Sequence, residues 1–143
     1  KKSVCDICRM FKNKLLREDI TYTIISCCYK VHASIGGGLL ESSYQKALSI
    51  SFKNESLEFI PQYKSNVYYE GEIVGKCILD FLVEKDVVVE IKKTSRFSRK
   101  DIEQVERYLQ QNNFPVALLI NFGADRVNVR RIQNPTLFPK QSN

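Results

Sequence analysis

The sequence predicts a mixed α/β domain, a central sheet flanked by helices in the order ααβββαββ. Three observations carry that reading. Two helical stripes meet at Gly36-Gly37-Gly38, a run of extended segments fills Leu57 to Lys92, and an extended, helical, extended succession follows, as a parallel crossover requires.

Each element has its local reason. From Leu16 the apolar positions Ile20, Ile24, Cys27 or Cys28 and Val31 recur every three to four residues, which lays one stripe along a first helix. Three successive glycines are too costly in backbone entropy for a helix interior, so the helix stops there, and Leu40, Tyr44, Ala47, Leu48 and Phe52 begin a second. Leu57 to Ile60, Asn66 to Tyr69, Ile73 to Val83 and Val87 to Lys92 then read as extended segments. Glu70-Gly71-Glu72 and Glu84-Lys85-Asp86 are their turns. Ser98 followed by Asp101 resembles a capping box, and Ile102, Val105 and Leu109 stripe a helix that ends near Asn112-Asn113, before Pro115. Val116 to Ile120 is apolar on both faces, as a buried strand should be, and Val127 to Ile132 alternates as a last strand. The single domain spans 1–132. Residues 133–143, with Pro135 and Pro139 and little periodicity, read as a C-terminal tail.

Composition narrows the class. At 143 residues, with 43% apolar and 27% charged residues and only 6 Gly and 4 Pro, the chain is neither disordered nor low-complexity. Its longest apolar stretches fall far short of the ~20 residues that cross a bilayer, and the basic amino end lacks the apolar segment of a signal peptide, so no membrane partner is expected. Five cysteines cannot all pair within one chain, and Cys27 and Cys28 are neighbours, which points to a reduced, intracellular protein. Cys5-x-x-Cys8 suggests a metal cluster, but Cys27-Cys28 lacks the spacer that turns two thiolates onto one ion. A net charge of +6 favours a polyanionic partner.

The most informative local feature is acidic. Asp80 interrupts Cys77 to Val83, and Glu90 and Lys92 interrupt Val87 to Lys92, in strands otherwise apolar on both faces. An unpaired carboxylate in such a place loses several kcal/mol of effective solvation, so something must offset it. If Val83 pairs with Val87 across a three-residue turn, Asp80 falls directly opposite Glu90, with Lys92 two residues along on the same face. A two-residue turn would put Asp80 on the other face. Two converging carboxylates repel unless a cation lies between them, and a hard divalent ion such as Mg²⁺ answers both problems. A structural ion pair, Lys92 neutralising Glu90, is the alternative.

Asp80, nine intervening residues, then Glu90-Ile91-Lys92 on consecutive strands after a helix resembles the PD-(D/E)XK nuclease superfamily. Upstream, Gly38-Leu39-Leu40-Glu41-Ser42-Ser43-Tyr44 is similar to the GxxExxY signature of one branch of it, preceded by the similar segment His32-Ala33-Ser34-Ile35-Gly36. Downstream, Gln104 falls on the helix after the E-x-K strand, and Leu119-Ile120-Asn121-Phe122-Gly123 resembles the family's next strand. The half-motif Ile78-Leu79-Asp80 has no proline.

The resemblance implies a restriction-endonuclease-like core and a deoxyribonuclease, an endonuclease, that hydrolyses phosphodiester bonds with Mg²⁺ or Mn²⁺. Asp80, Glu90, the carbonyl of Ile91 and Glu41 would hold the metal, with Lys92 and Gln104 completing the catalytic set. Without it, Glu41 would be only a first-turn acid favoured by the helix dipole, and Tyr44, on the same helix face, packs or orients. His32 reads as a packed or capping residue. The basic stretch that follows the site supplies Lys93, Arg96, Arg99 and Lys100, and with Arg107, Arg126, Arg130 and Arg131 it offers a path for a nucleic-acid backbone. Cutting both strands of a duplex often takes two sites, so a homodimer is compatible. Two other classes compete: a catalytically silent nucleic-acid-binding or accessory subunit that keeps the fold, and a basic interaction domain whose strand charges form only an ion-pair network.

Overall fold

The computed structural model describes residues 16–139. Helices α1 (Glu18–Ile35) and α2 (Glu41–Asn54) precede strands β1 (Phe59–Tyr69), β2 (Glu72–Val83) and β3 (Val87–Ile91); α3 (Arg99–Asn112) then crosses to β4 (Val116–Phe122) and β5 (Val127–Gln133). The strands form one sheet in the order β1-β2-β3-β4-β5. Only β3 and β4 run parallel, joined by the α3 crossover, and every other neighbour is antiparallel. This is the ααβββαββ order expected from the sequence, with a restriction-endonuclease-like arrangement.

The helical stripes decide which face each helix covers. Ile24, Cys27, Cys28 and Val31 of α1 and Tyr44, Leu48 and Phe52 of α2 pack on Phe81, Val83, Val87, Val89, Leu118 and Ile120. Val105 and Leu109 of α3 close the opposite face over Leu82, Val88, Ala117 and Leu119. Removing this much apolar surface from water is the main stabilising term of such a sheet and helix sandwich. Cys27 and Cys28 are free, buried members of the first core, and burial pushes both thiols up; Cys5 and Cys8 lie outside the described residues. At the start of α3 the Ser98 side chain accepts from the Asp101 N–H while the Asp101 carboxylate accepts from the Ser98 N–H, the reciprocal box that the sequence predicts. No described helix is long and apolar enough to cross a membrane.

Three features differ from the sequence reading. Phe59 and Ile60 join Asn66 to Tyr69 in one 11-residue strand, β1, which continues through Pro61, while Leu57 and Glu58 precede it. An edge strand tolerates a proline because one side of its ladder is unpaired. Next, the apolar alternation of β2 changes face at Asp80: Phe81 and Val83 lie beneath α1 and α2, yet Leu79 joins Leu82 beneath α3. Opposite that point Gln62 has φ 52°, a left-handed turn that swings Tyr63 to the α3 side with Leu79. Finally, residues 133–139 do not trail away. β5 runs through Gln133, and the buried Asn134 side chain donates to the carbonyls of Leu109 and Phe114, both at 3.0 Å, while accepting from the Thr136 N–H. One satisfied asparagine carries that docking, which a periodicity reading does not register.

β1 and β2 also outrun the sheet. Of the 12 residues of β2, only Phe81, Leu82 and Val83 pair with β3, so the rest of the hairpin projects as a two-stranded arm. Tyr68, Tyr69, Ile73, Val74 and Ile78 are exposed on it.

The α1–α2 corner is built on close approach. Gly36 and Gly38 have φ of 72° and 83°, and Gly37 rests on the β4–β5 corner, where a Cβ would lie 2.3 Å from the Gly123 carbonyl oxygen. The His32 ring reaches the same carbonyl, Nε2 to O at 2.7 Å. Gly37→Ala should therefore force the two corners apart and destabilise the fold by about 1–3 kcal/mol, read as a lower midpoint in urea with unchanged slope.

Candidate active site

The site begins where two strands part. The β2–β3 ladder pairs Val83 with Val87, Leu82 with Val88 and Phe81 with Val89, and ends there. Asp80 and Glu90 come next on the two strands, as the three-residue turn predicts, but their backbones do not pair. Instead the Asp80 N–H donates to Glu90 Oε1 at 2.7 Å, and the Ile91 N–H donates to Asp80 Oδ2 at 2.7 Å. Each carboxylate thus serves as the acceptor for a backbone amide at the fork. β3 meanwhile stays with β4, through Ile91 opposite Ile120 and the Lys92 N–H donating to the Ile120 carbonyl at 2.7 Å. Because the two backbone groups of a strand residue point the same way, the Ile91 carbonyl, like its N–H, turns toward Asp80.

The electrostatics follow from that crowding. Burial, then the Asp80 charge, push Glu90 up to about 8, and Glu41 adds to the rise; the Asp80 N–H and Lys92 oppose it. Burial also raises Asp80, against the Ile91 N–H and Lys92. Lys92 is near enough to attract both, yet no ion pair among the described residues joins it to either; the ion pairs lie elsewhere, as in Arg17 with Asp86, Lys30 with Glu55, Arg99 with Glu103 and Arg131 with Glu18. The direct Lys92 to Glu90 pair considered from the sequence is therefore not formed, and two mutually repelling carboxylates are left half-buried.

Helix α2 brings Glu41 in from its first turn, close enough for its charge to reach Glu90. One turn on, Gln45 Nε2 donates to the Asp80 carbonyl at 3.4 Å, a contact the sequence reading missed although Gln45 shares the Glu41 face. Tyr44 orients rather than reacts. Its hydroxyl donates to the Gly36 carbonyl at 2.7 Å and accepts from the Leu39 N–H at 3.2 Å, and its ring stacks on Phe122 at 4.2 Å. It fixes the glycine corner, and so the start of α2, to the end of β4. His32, held on Gly123, is likewise a latch.

Gln104 is exposed on α3 and makes no hydrogen bond to Asp80, Glu90 or Lys92; its amide donates to the Tyr108 hydroxyl at 2.8 Å. Tyr108, also missed from the sequence, packs on the α3-side core and is raised by burial, by Cys77 and, more weakly, by the Glu90 charge. Its spacing of four from Gln104 was the available signal. Lys93 and Arg96 lie exposed on the β3–α3 connection, and Arg99, Lys100 and Arg107 on the outer side of α3. Arg126 and Arg130 are exposed as well. Arg131 is not part of that surface: it turns under α1 to donate to Thr21 Oγ1 at 2.9 Å.

Beside the fork a cleft of about 290 Å³ opens between Leu39, Leu40 and Glu41 on one side and Lys92 and Lys93 on the other. Buried Tyr44 and Phe122 form its floor. Asp80 and Glu90 do not line it; Glu90 leaves β3 on the side opposite Ile91. No group of three His, Cys, Asp or Glu side chains is gathered as a metal cage among the described residues. The donors at the fork are instead two carboxylates, each with one oxygen already bound to an N–H, and a carbonyl. All are hard oxygen donors, a set suited to an ion that keeps water and phosphate oxygens for its remaining positions.

Comparison with known proteins bears on the fold and the family. The crystal structure of SSO0001 is similar, with a TM-score of 0.50 and 20% identity over 85% of this chain, which spans 62% of the length of that one; this likeness concerns the fold. No curated protein matches the chain. Residues 18–132, from the first residue of α1 nearly to the end of β5 and so across the entire fork, match the PD-(D/E)XK nuclease superfamily, and the chain belongs to that superfamily.

Proposed function

We propose that this chain is a nuclease of the GxxExxY branch that hydrolyses internal phosphodiester bonds of DNA with Mg²⁺ or Mn²⁺. The observation that carries the reading is the fork: two half-buried acids, each bonded at 2.7 Å to a backbone N–H of the other's strand, one of them held protonated up to about 8 by burial and by the other's charge, and no ion pair to either among the described residues. Each acid closes a backbone amide at the fork, and a divalent ion would balance the negative charge the two bring together there.

Asp80, Glu90 and the Ile91 carbonyl would hold the ion, with Glu41 as a further acid reaching the site from α2. When bound, the ion polarises a phosphate and lowers the pKa of a coordinated water. The side chains supply the rest. Lys92, attracted to both carboxylates but bonded to neither, is free to orient the attacking water and to offset charge that develops on the phosphate. Tyr108 and Gln104 form a hydrogen-bonded pair at the α3 edge that positions water or a phosphate oxygen. The Ile91 and Asp80 N–H groups hold the two carboxylates in place, so little rearrangement accompanies binding. Lys93, Arg96, Arg99, Lys100 and Arg107 supply charge along the path the strand takes away from the fork.

Asp80→Ala and Glu90→Ala should each lower divalent-dependent cleavage of labelled DNA about 100-fold or more while DNA binding persists; cleavage that survives both would exclude this site.

The raised Glu90 has a second consequence. Between its ordinary value of 4.5 and about 8 the folded protein retains a proton that the unfolded chain releases. The Glu90 contribution to stability without metal is therefore complete below pH 4.5 and is lost as pH rises toward 8. The urea midpoint of the parent protein relative to Glu90→Gln should fall across that window, and Mg²⁺ should oppose the fall by favouring the ionised form.

DNA affinity should drop with rising salt, and Lys93→Ala or Lys100→Ala should each reduce the slope of log K against log salt by about one; a salt-independent affinity would remove the phosphate contacts.

A further inference from the structure

One wall of the cleft beside the fork serves neither the core nor the proposed hydrolysis. Leu39 and Leu40 are 48% and 72% exposed. Leu40 is the N-cap of α2 and makes no capping bond, at a position where Ser, Thr, Asp or Asn would bind a free N–H of the first turn. A leucine there gives up the cap and gains no burial, and it stands next to Glu41.

The rest of the cleft describes what would meet it. The floor is the stacked pair Tyr44 and Phe122, with ring planes 1° apart, and the facing wall is Lys92 and Lys93. Asn121 is already satisfied, donating to the Lys92 carbonyl and accepting from Asn128, so it has little left for reading the edge of a ligand. Glu41 also lines the leucine side; with it, an apolar lip and floor opposite two cations match a nucleotide, whose flat base is tied to an anionic phosphate that the lysines would face, and they match it without preference for the base. At about 290 Å³ the space suits one base. An apolar peptide would suit the leucines but leave both lysines facing it unpaired.

We propose that this cleft receives one unstacked base of the strand being cut, and that Leu40 wedges into the stack the base has left. The inference rests on the nuclease reading and names its substrate class: DNA with an unpaired or weakly paired nucleotide at the cut, such as a single strand, a bulge or a branch point, in preference to intact duplex. Unstacking takes least work where pairing is already weak, which is where such a wedge confers selectivity.

The test uses short DNA duplexes with 2-aminopurine either fully paired or in a one-base bulge, bound in Ca²⁺ to hold off cleavage. Leu40→Ser is the variant, since serine is a better N-cap and the fold should be at least as stable. The parent protein should raise 2-aminopurine fluorescence severalfold on binding, bind the bulged duplex roughly tenfold more tightly than the paired one, and lose both effects with Leu40→Ser. With Mg²⁺, Leu40→Ser should slow cleavage of the bulged duplex more than that of a single strand, which needs no unstacking. Binding without a fluorescence rise, or a rise undiminished in Leu40→Ser, overturns the base pocket and leaves the nuclease reading standing. Absence of cleavage of any DNA in Mg²⁺ or Mn²⁺ overturns the nuclease reading, while the fluorescence still decides the pocket. Self-association that Leu40→Ser abolishes, seen by sedimentation, assigns the leucines to a second copy of the chain and ends the proposal.

Discussion

Everything at the site depends on an exchange of partners at one point in the sheet. Where β2 leaves β3, the amide groups of Asp80 and Ile91 have no backbone partner across the fork, and the carboxylates of Glu90 and Asp80 accept from them instead. An unmade hydrogen bond at a half-buried amide is costly, so the fork needs acceptors there. The acids are thus structural and chemical at once: the oxygens that close the fork belong to the groups that repel each other. Replacing either acid with an apolar residue would leave an amide open as well as removing a charge, which distinguishes this fork from an ordinary pair of surface acids.

Around the fork, the fold brings in groups from distant parts of the chain. Helix α2 is aimed by the glycine corner, which Gly37, His32 and Tyr44 fasten to the end of β4 and the β4–β5 corner. Lys92 is fixed because β3 continues beside β4 after β2 has gone. Tyr108 arrives from α3, whose start is set by its capping box. The GxxExxY-like stretch therefore has a physical sense apart from any chemistry: its glycine makes the corner, its tyrosine locks the corner to β4, and the acid between them is carried to the fork.

Much of this was legible in the sequence, and the parts that were not share a cause. The Val83 to Val87 turn could be read because Glu84-Lys85-Asp86 separates two β-branched runs, and from it followed the opposition of Asp80 and Glu90. The capping box and the helical stripes are local patterns of the same kind. What escaped depends on single contacts across the fold. The ladder stops at Phe81 because two side chains bond to backbone; Gln62 turns left-handed opposite Asp80 and swaps the faces of both strands; Asn134 ties down residues that have no periodic pattern; and Tyr108 and Gln45 meet the site through partners far away in the chain. The ion-pair alternative also failed for a reason of distance, since Lys92 stays outside pairing range of either acid.

The overhanging hairpin has a mechanical meaning. Asp80 is the first residue of β2 beyond the three that anchor it to β3, yet the hairpin stays fastened to α3 past that point, through Leu79, Tyr63 and the Asn112 to Ser65 bond. Only its outer part, with exposed Tyr69, Ile73 and Val74, stands clear. Whatever meets that tip is thereby held at a set reach from the two acids.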